Sequence, residues 1–418
     1  MSIYYVANNG NDANDGLTPS TPWQTMKKVN DCHRGGDEIR FKCGDTFYGT
    51  IESKAGLDLS HPTVYTAYGD GQKPIITQMK RVKKGVWEKV ADNLYRVDLY
   101  NEDNYDGNKL KKDKNVGFLE IDGALFYEKK FELDELKEQW DFYCNDYEAH
   151  TPYVYVYSSA APDTLCDTFS AACNIEGSTF NDYVRFERLN FTGMGSHGIC
   201  QNGKHIVVSH CEFHRIGGSC LTSHWRPNTR YGNGVEAWAD SADILVEHCR
   251  FSEIYDVAMT MQGTPVHTSW ENICFRYNTV WNCVQAFEIW SGSEGGFAPD
   301  TGFVNCRFEH NTCMNSGYCW GYEARPNKDC SAHLLIYSLF CPRCDVQVCN
   351  NVFYGARVSS IFKRGGPQAI PDDYKIYDNV FVKAAGQPIA LPDASTTAEE
   401  LAAFEAKIAA KNRVVDLL

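Results

Sequence analysis

The 418-residue sequence has no apolar run approaching membrane length, and its opening MSIYYVANNG lacks the basic-then-apolar pattern of an export leader. It also lacks a basic surplus: Lys and Arg total 40 against 54 Asp and Glu, a net charge of −14. An acidic chain is a poor partner for nucleic acid or an anionic membrane. These absences lead to the expectation of a cytoplasmic bacterial protein, or a secreted one whose leader has been removed. Neither nucleic acid nor membrane is expected as a partner. Cysteine, by contrast, is plentiful, with 18 residues. They are spread along a large chain and fall within apolar runs, so they read as reduced, buried small hydrophobes rather than a disulfide framework.

What is present is a repeat. Seven alternating runs end in the same way: VRFERLNF (184–191), IVVSHCEF (206–213), ILVEHCRF (244–251), ICFRYNTV (273–280), CRFEHNTC (306–313), VQVCNNVF (346–353) and YKIYDNVF (374–381). Aligned on their last residue, they put Leu189, Cys211, Cys249, Asn278, Asn311, Asn351 and Asn379 in one column. The spacing, never below 22 residues and irregular above it, fits a coil of three short strands per turn with loops spliced in. A second run follows each first one, and Ile199, Leu221, Met259 and Ile361 then share a core-facing column. The two-residue strand period puts Asp256 outside. It puts Glu288 inside unless the rung slides by one residue, which places Phe287 in the core. The slid register is preferred, because a carboxylate in a dry core is costly.

The expected organisation is an N-terminal cap with the first strands (1–60), an inserted β-rich region (61–183), the β-helix rungs carrying loops (184–390), and a C-terminal helix (391–418) capped by Ser395 or Thr396. The fold class is all-β.

The opening YYVANNGNDANDG…TPWQTMKKVN…GDEIRFKCGDTFYGTI resembles the N-terminal segment of right-handed parallel β-helix proteins of the pectate-lyase-like superfamily. The Cys/Asn column resembles the ladder such helices carry at a turn. This group holds glycoside hydrolases, polysaccharide lyases, epimerases and phage tailspikes, so the resemblance implies a fold and a carbohydrate partner but not a reaction. The paired-Asp signature of polygalacturonases is not found, and no Asp cluster clearly matches the calcium site of pectate lyases.

The residues must therefore speak for the chemistry. Long loops rich in polar and aromatic residues interrupt the repeat between 222 and 326. Four carboxylates border them: Glu236, Asp256, Glu288 and Glu323. Asp256 and Glu288 are the first choice for an acid/base or nucleophile pair, with Glu236 or Glu323 as third member. Trp225, Arg226, His224, His267, Trp290, Tyr322, Arg325 and Lys363 are candidates for substrate binding. Each also has a plain reading as a loop brace, core filler or solvated surface residue. Cys330-x-x-His333 and Cys341-x-x-Cys344 have the pairing of a zinc site, but the apolar strand between them favours core residues, and no metal or cofactor is expected. The favoured function is a glycoside hydrolase acting on a neutral or mildly substituted glycan, as a monomer or small homo-oligomer. A lyase or epimerase acting on uronates, with Lys363 as base, and a non-catalytic glycan-binding protein remain open.

Overall fold

The computed structural model describes residues 1–144, 152–221, 228–264, 267–292, 298–365, 370–392 and 396–417. Its body is a coil of three parallel sheets. The first sheet has eleven strands, from Ile3–Val6 to Tyr374–Tyr377. The second has ten, from Thr46–Tyr48 to Arg413–Leu417, and the third has eight, from Ser178–Thr179 to Ala390–Pro392. Every neighbouring pair inside these sheets is parallel, so successive turns of the chain add their strands to the same three sheets. The seven first runs of the repeat lie in the first sheet and the second runs begin in the second.

Alternation explains the core. Ile199, Val235, Met259, Phe287, Leu334 and Ile361 pair in register along the third sheet and are fully buried. Phe191, Phe213 and Phe251 stack along the second sheet with centroids 5.2 and 4.8 Å apart. Burying each such ring stabilises the fold by about 1.5–3 kcal/mol.

The turn between first and second sheets is closed by the Cys/Asn column. Asn278 Nδ2 donates to Asn311 Oδ1 at 3.0 Å and to the Val246 carbonyl at 3.0 Å, and Asn311, Asn351 and Asn379 repeat the pattern. The residue before each ladder position, from Arg188 to Asp378, is left-handed (φ 54 to 57°). That conformation points the next side chain into the coil, and the amide satisfies backbone groups that the bend would otherwise leave unpaired. Asn412 extends the ladder by one step beyond the repeat, accepting from Asn379 at 2.9 Å.

The 18 cysteines are all thiols, and all but Cys32 and Cys274 are buried. Of the zinc-like quartet, Cys341 and Cys344 sit in the main core and Cys330 in a separate apolar cluster with Leu335 and Phe362. His333 Nδ1 meets Ser316 Oγ at 2.8 Å. Among the described residues no three potential metal ligands converge.

Two rungs depart from the sequence expectation. Leu221 does not continue the core column. Ser219–Cys220 pairs antiparallel with Arg230–Tyr231, and the third-sheet strand of that rung is Val235–Trp238. Likewise the rung after Met314 first forms a short helix, Trp320–Ala324, and reaches the third sheet only at Ala332–Leu339. Loops placed before the third strand had hidden its position.

The inserted region is narrower than 61–183, because Thr63–Tyr68 and Ile75–Thr77 are strands of the coil. The insertion runs from Met79 to Cys173 as two antiparallel sheets with their own core of residues such as Val97, Leu119 and Phe142. It docks beside the long loops: Phe118 and Tyr127 pack on Trp320, and Arg230 donates to the Gly117 carbonyl at 2.8 Å.

The C-terminal helix is Ala398–Ala409, with Phe404 and Ile408 buried on the last rung. Its cap is Thr397, not Thr396, because Thr397 and Glu400 close a reciprocal capping box; Ser395 lies outside the described residues. The helix is followed by Arg413–Leu417, which adds a parallel strand to the second sheet.

Candidate active site

The third sheet carries a polar column on its outer face. Glu236, Thr260 and Glu288 are register partners on three successive strands, while their neighbours Val235, Met259 and Phe287 face the core. The slid register therefore describes the Glu288 rung. Two residues further along the strands, Trp238, Gln262 and Trp290 form a second outer column, with the two indoles 6.2 Å apart.

Each carboxylate has a distinct environment. Glu236 is buried, and its Oε2 accepts from Asn233 Nδ2 at 2.9 Å and from Gln262 Nε2. His197 Nε2 lies 3.6 Å from the same oxygen. The Asn233 backbone N–H donates to His197 Nδ1 at 3.0 Å, so the hydrogen-bond pattern assigns the ring hydrogen of neutral His197 to Nε2, facing Glu236. Tyr231 packs edge-on against His197 and donates to Asn174 Oδ1 at 2.5 Å; burial pushes its phenol up to about 12.

Asp256 sits at the start of the strand that carries Thr260. Its Oδ1 accepts from Arg325 at 3.0 Å, and the same guanidinium reaches Gln285 Oε1 at 3.4 Å and stands over the Tyr255 ring. Among the described residues Glu288 has only a long contact to Thr260 Oγ1, at 3.5 Å. Burial, then the charge of Asp256, pushes its carboxyl up to about 8; Arg325 opposes this and Glu236 adds to it. Three acids and one arginine thus share the site, and burial beside Asp256 favours the protonated form of Glu288.

Glu323 does not join them. It is on the short helix, ion-paired with Arg357 at 2.6 Å and half exposed. Tyr322 is covered by Arg357, 3.8 Å from its ring centre. Trp320 is an anchor, buried with Nε1 donating to the Glu253 carbonyl at 3.0 Å. Lys363 is 2% exposed and its ammonium donates to the Arg364 and Tyr337 carbonyls, so it does not present a free base to Glu288. His267 is exposed and lines a separate cavity. His224, Trp225 and Arg226 lie outside the described residues. Asn233, His197, Thr260 and Gln262 were not singled out in the sequence. The available signal was their spacing: Asn233 three residues before Glu236, and Thr260 and Gln262 in the next outer column.

No family model matches the chain. A lacto-N-biosidase from Bifidobacterium longum subsp. longum is 34% identical over 112 residues, 25% of this chain but only 7% of that protein. Among solved structures, XylC in complex with xylose superposes with a TM-score of 0.54 at 12% identity, covering 99% of this chain and 82% of the other. A GH136 lacto-N-biosidase from Eubacterium ramulus gives 0.39 at 14% identity over 100% and 68%. The chain is a right-handed parallel β-helix. At these identities the structural likeness speaks to fold alone.

Proposed function

We propose that the protein is a glycoside hydrolase in which Glu288 is the general acid and Glu236 the base that activates water. The observation that carries this reading is two carboxyls on one outer column, Glu236 held by two amide donors and Glu288 met only by a long Thr260 contact among the described residues, where burial beside Asp256 favours its protonated form. Protonating a glycosidic oxygen needs such an acid, and attack on the sugar needs an electron-rich oxygen on the other side. Glu236 and Glu288 are two strand steps apart, about 9–10 Å at the backbone. That spacing leaves room for a water and favours an inverting reaction. Gln262 and Asn233 donate to Oε2 of Glu236 and His197 Nε2–H faces the same oxygen, so these groups hold the carboxylate and the base acts through Oε1.

Asp256 is assigned a different role from the one its sequence position suggested. With Arg325 bound to it, it acts as a fixed charge that keeps Glu288 protonated. Trp238 and Trp290 supply apolar faces beside the acids. The short similarity to a lacto-N-biosidase supports a glycosidase over the other carbohydrate-active classes. The lyase reading has less support, because Arg325 is engaged by Asp256 and Gln285, and Lys363 by carbonyls.

The test is a panel of aryl glycosides, including a lacto-N-biosyl one, with neutral and uronate-containing oligosaccharides. New reducing ends without ultraviolet absorbance from an unsaturated product, lost in Glu288→Gln and Glu236→Gln, support the hydrolase. Unsaturated product that survives both substitutions overturns it.

A further inference from the structure

A cavity of about 500 Å³ lies past the tryptophans, at the corner where third-sheet strands turn into the first sheet. Its walls include Lys204, Asp240, Ser241, His267, Glu271 and Asp300. The volume lies within the usual range for small-molecule sites. Ser241 is fully buried and its hydroxyl has no hydrogen-bond partner among the described residues. A buried hydroxyl left this way is unfavourable unless something else satisfies it. The backbone around it is already committed: Glu271 N donates to the Ser241 carbonyl at 3.0 Å, and Asp240 N to the Ser269 carbonyl at 3.2 Å. Besides His267 and three hydroxyls, the charged groups of the wall are three carboxylates and one ammonium, Lys204 Nζ, 3.5 Å from Asp240 Oδ1.

Carboxylates and a hydroxyl around one ammonium suit a ligand rich in hydroxyl groups, whose O–H donors meet the acids and whose oxygens accept from Lys204 and Ser241. They disfavour an anionic ligand. The cavity also has a defined relation to the acids. Asp240 is four residues beyond Glu236 on the same segment, at most about 13 Å along a strand. Trp238, on the outer column, lies between them, with Trp290 beside it.

We propose that this cavity is a distal subsite for uncharged sugar units of a substrate whose scissile bond lies at Glu236 and Glu288. The inference rests on the hydrolase reading and adds to it the substrate class: an extended neutral oligosaccharide, running from the acids across the tryptophans into the cavity.

The experiment compares kcat/KM for a short aryl glycoside and for neutral oligosaccharides of increasing length carrying the same cleaved unit. Wild-type enzyme, Asp300→Asn, Glu271→Gln and Ser241→Val are measured side by side. The expected result is a gain of roughly tenfold or more with length in the wild type, carried by KM, which the three variants lose. Asp300 and Glu271 are exposed, so those two variants remain informative if Ser241→Val does not fold. A length gain that the Asp300 and Glu271 variants retain, or no length gain in the wild type, overturns the subsite while leaving the hydrolase reading standing. A gain confined to amino sugars and abolished by salt overturns the uncharged-ligand assignment. Failure of the wild type to cleave any glycan in the panel overturns both readings.

Discussion

Glu236 and Glu288 are register partners through Thr260, so two acids 52 positions apart in sequence stand on one line of the third sheet. Their roles are separable by substitution. Glu288→Gln should lower kcat by about 10²–10⁴-fold on substrates with poor leaving groups, and much less on activated aryl glycosides that need little protonation. Glu236→Gln should lower both alike. A Glu288→Gln enzyme equally impaired on both substrates would remove its assignment as the acid.

The protonated state of Glu288 sets an alkaline limit. Activity that requires its proton should fall as pH rises through about 8. Stability should follow the same group. Its folded-state value lies above the ordinary 4.5, so the folded protein binds the proton more tightly than the unfolded chain. Stability therefore declines as pH rises from about 4.5 to about 8. Glu288→Gln removes this linkage, and its melting temperature should exceed that of the wild type most clearly above pH 8. Parallel melting curves across this window would show that Glu288 is not held protonated.

Asp256 and Arg325 should move that limit in opposite directions. Asp256→Asn removes a negative neighbour, so the alkaline limb of the pH–rate profile should shift to lower pH. Arg325→Met removes the opposing positive charge and should shift it upward. Arg325→Met also strands a mostly buried carboxylate, at a cost of about 3 kcal/mol. Comparing the two profiles with urea titrations separates the electrostatic effect from the structural one.

The ladder makes a prediction about stability alone. Asn311→Ala removes the donors to Phe275 O and Asn351 Oδ1 and the acceptor for Asn278 N. With several buried groups left unpaired, a loss of about 3 kcal/mol is expected, seen as a lower urea midpoint. Activity per folded molecule should be retained.

The coil was legible because its signal is repeated. The Cys/Asn column and the alternation around it recur seven times, and the cost of a buried acid was enough to place Phe287 inside and Glu288 outside. The rung containing Leu221 was misread because the chain leaves the coil at Ser219 for a small hairpin before the third strand, and a strand of four residues carries too little pattern to reveal its shift. For the same reason Glu236 could not be put in register with Glu288. Glu323 shared the composition of the site, next to Tyr322 and Arg325, but a short helix turned it toward Arg357. His197 carries no local sequence signal, and Gln262 carries only its place on an outward column; the stacking of rungs brings both to Glu236. Asn412 was missed because it follows a helix rather than an alternating run.

The outer column on which the acids stand also has a metric. Side chains along it advance in whole strand spacings of about 4.8 Å, so the separation of two acids on neighbouring rungs takes discrete values and not a continuum. One step lies near the spacing of a retaining pair and two steps near that of an inverting pair. Position 260, now threonine, is the intermediate notch. On the proposed hydrolase reading, the pitch of this coil is a ruler for stereochemistry: moving a carboxylate a single rung would exchange one outcome for the other without remodelling a loop.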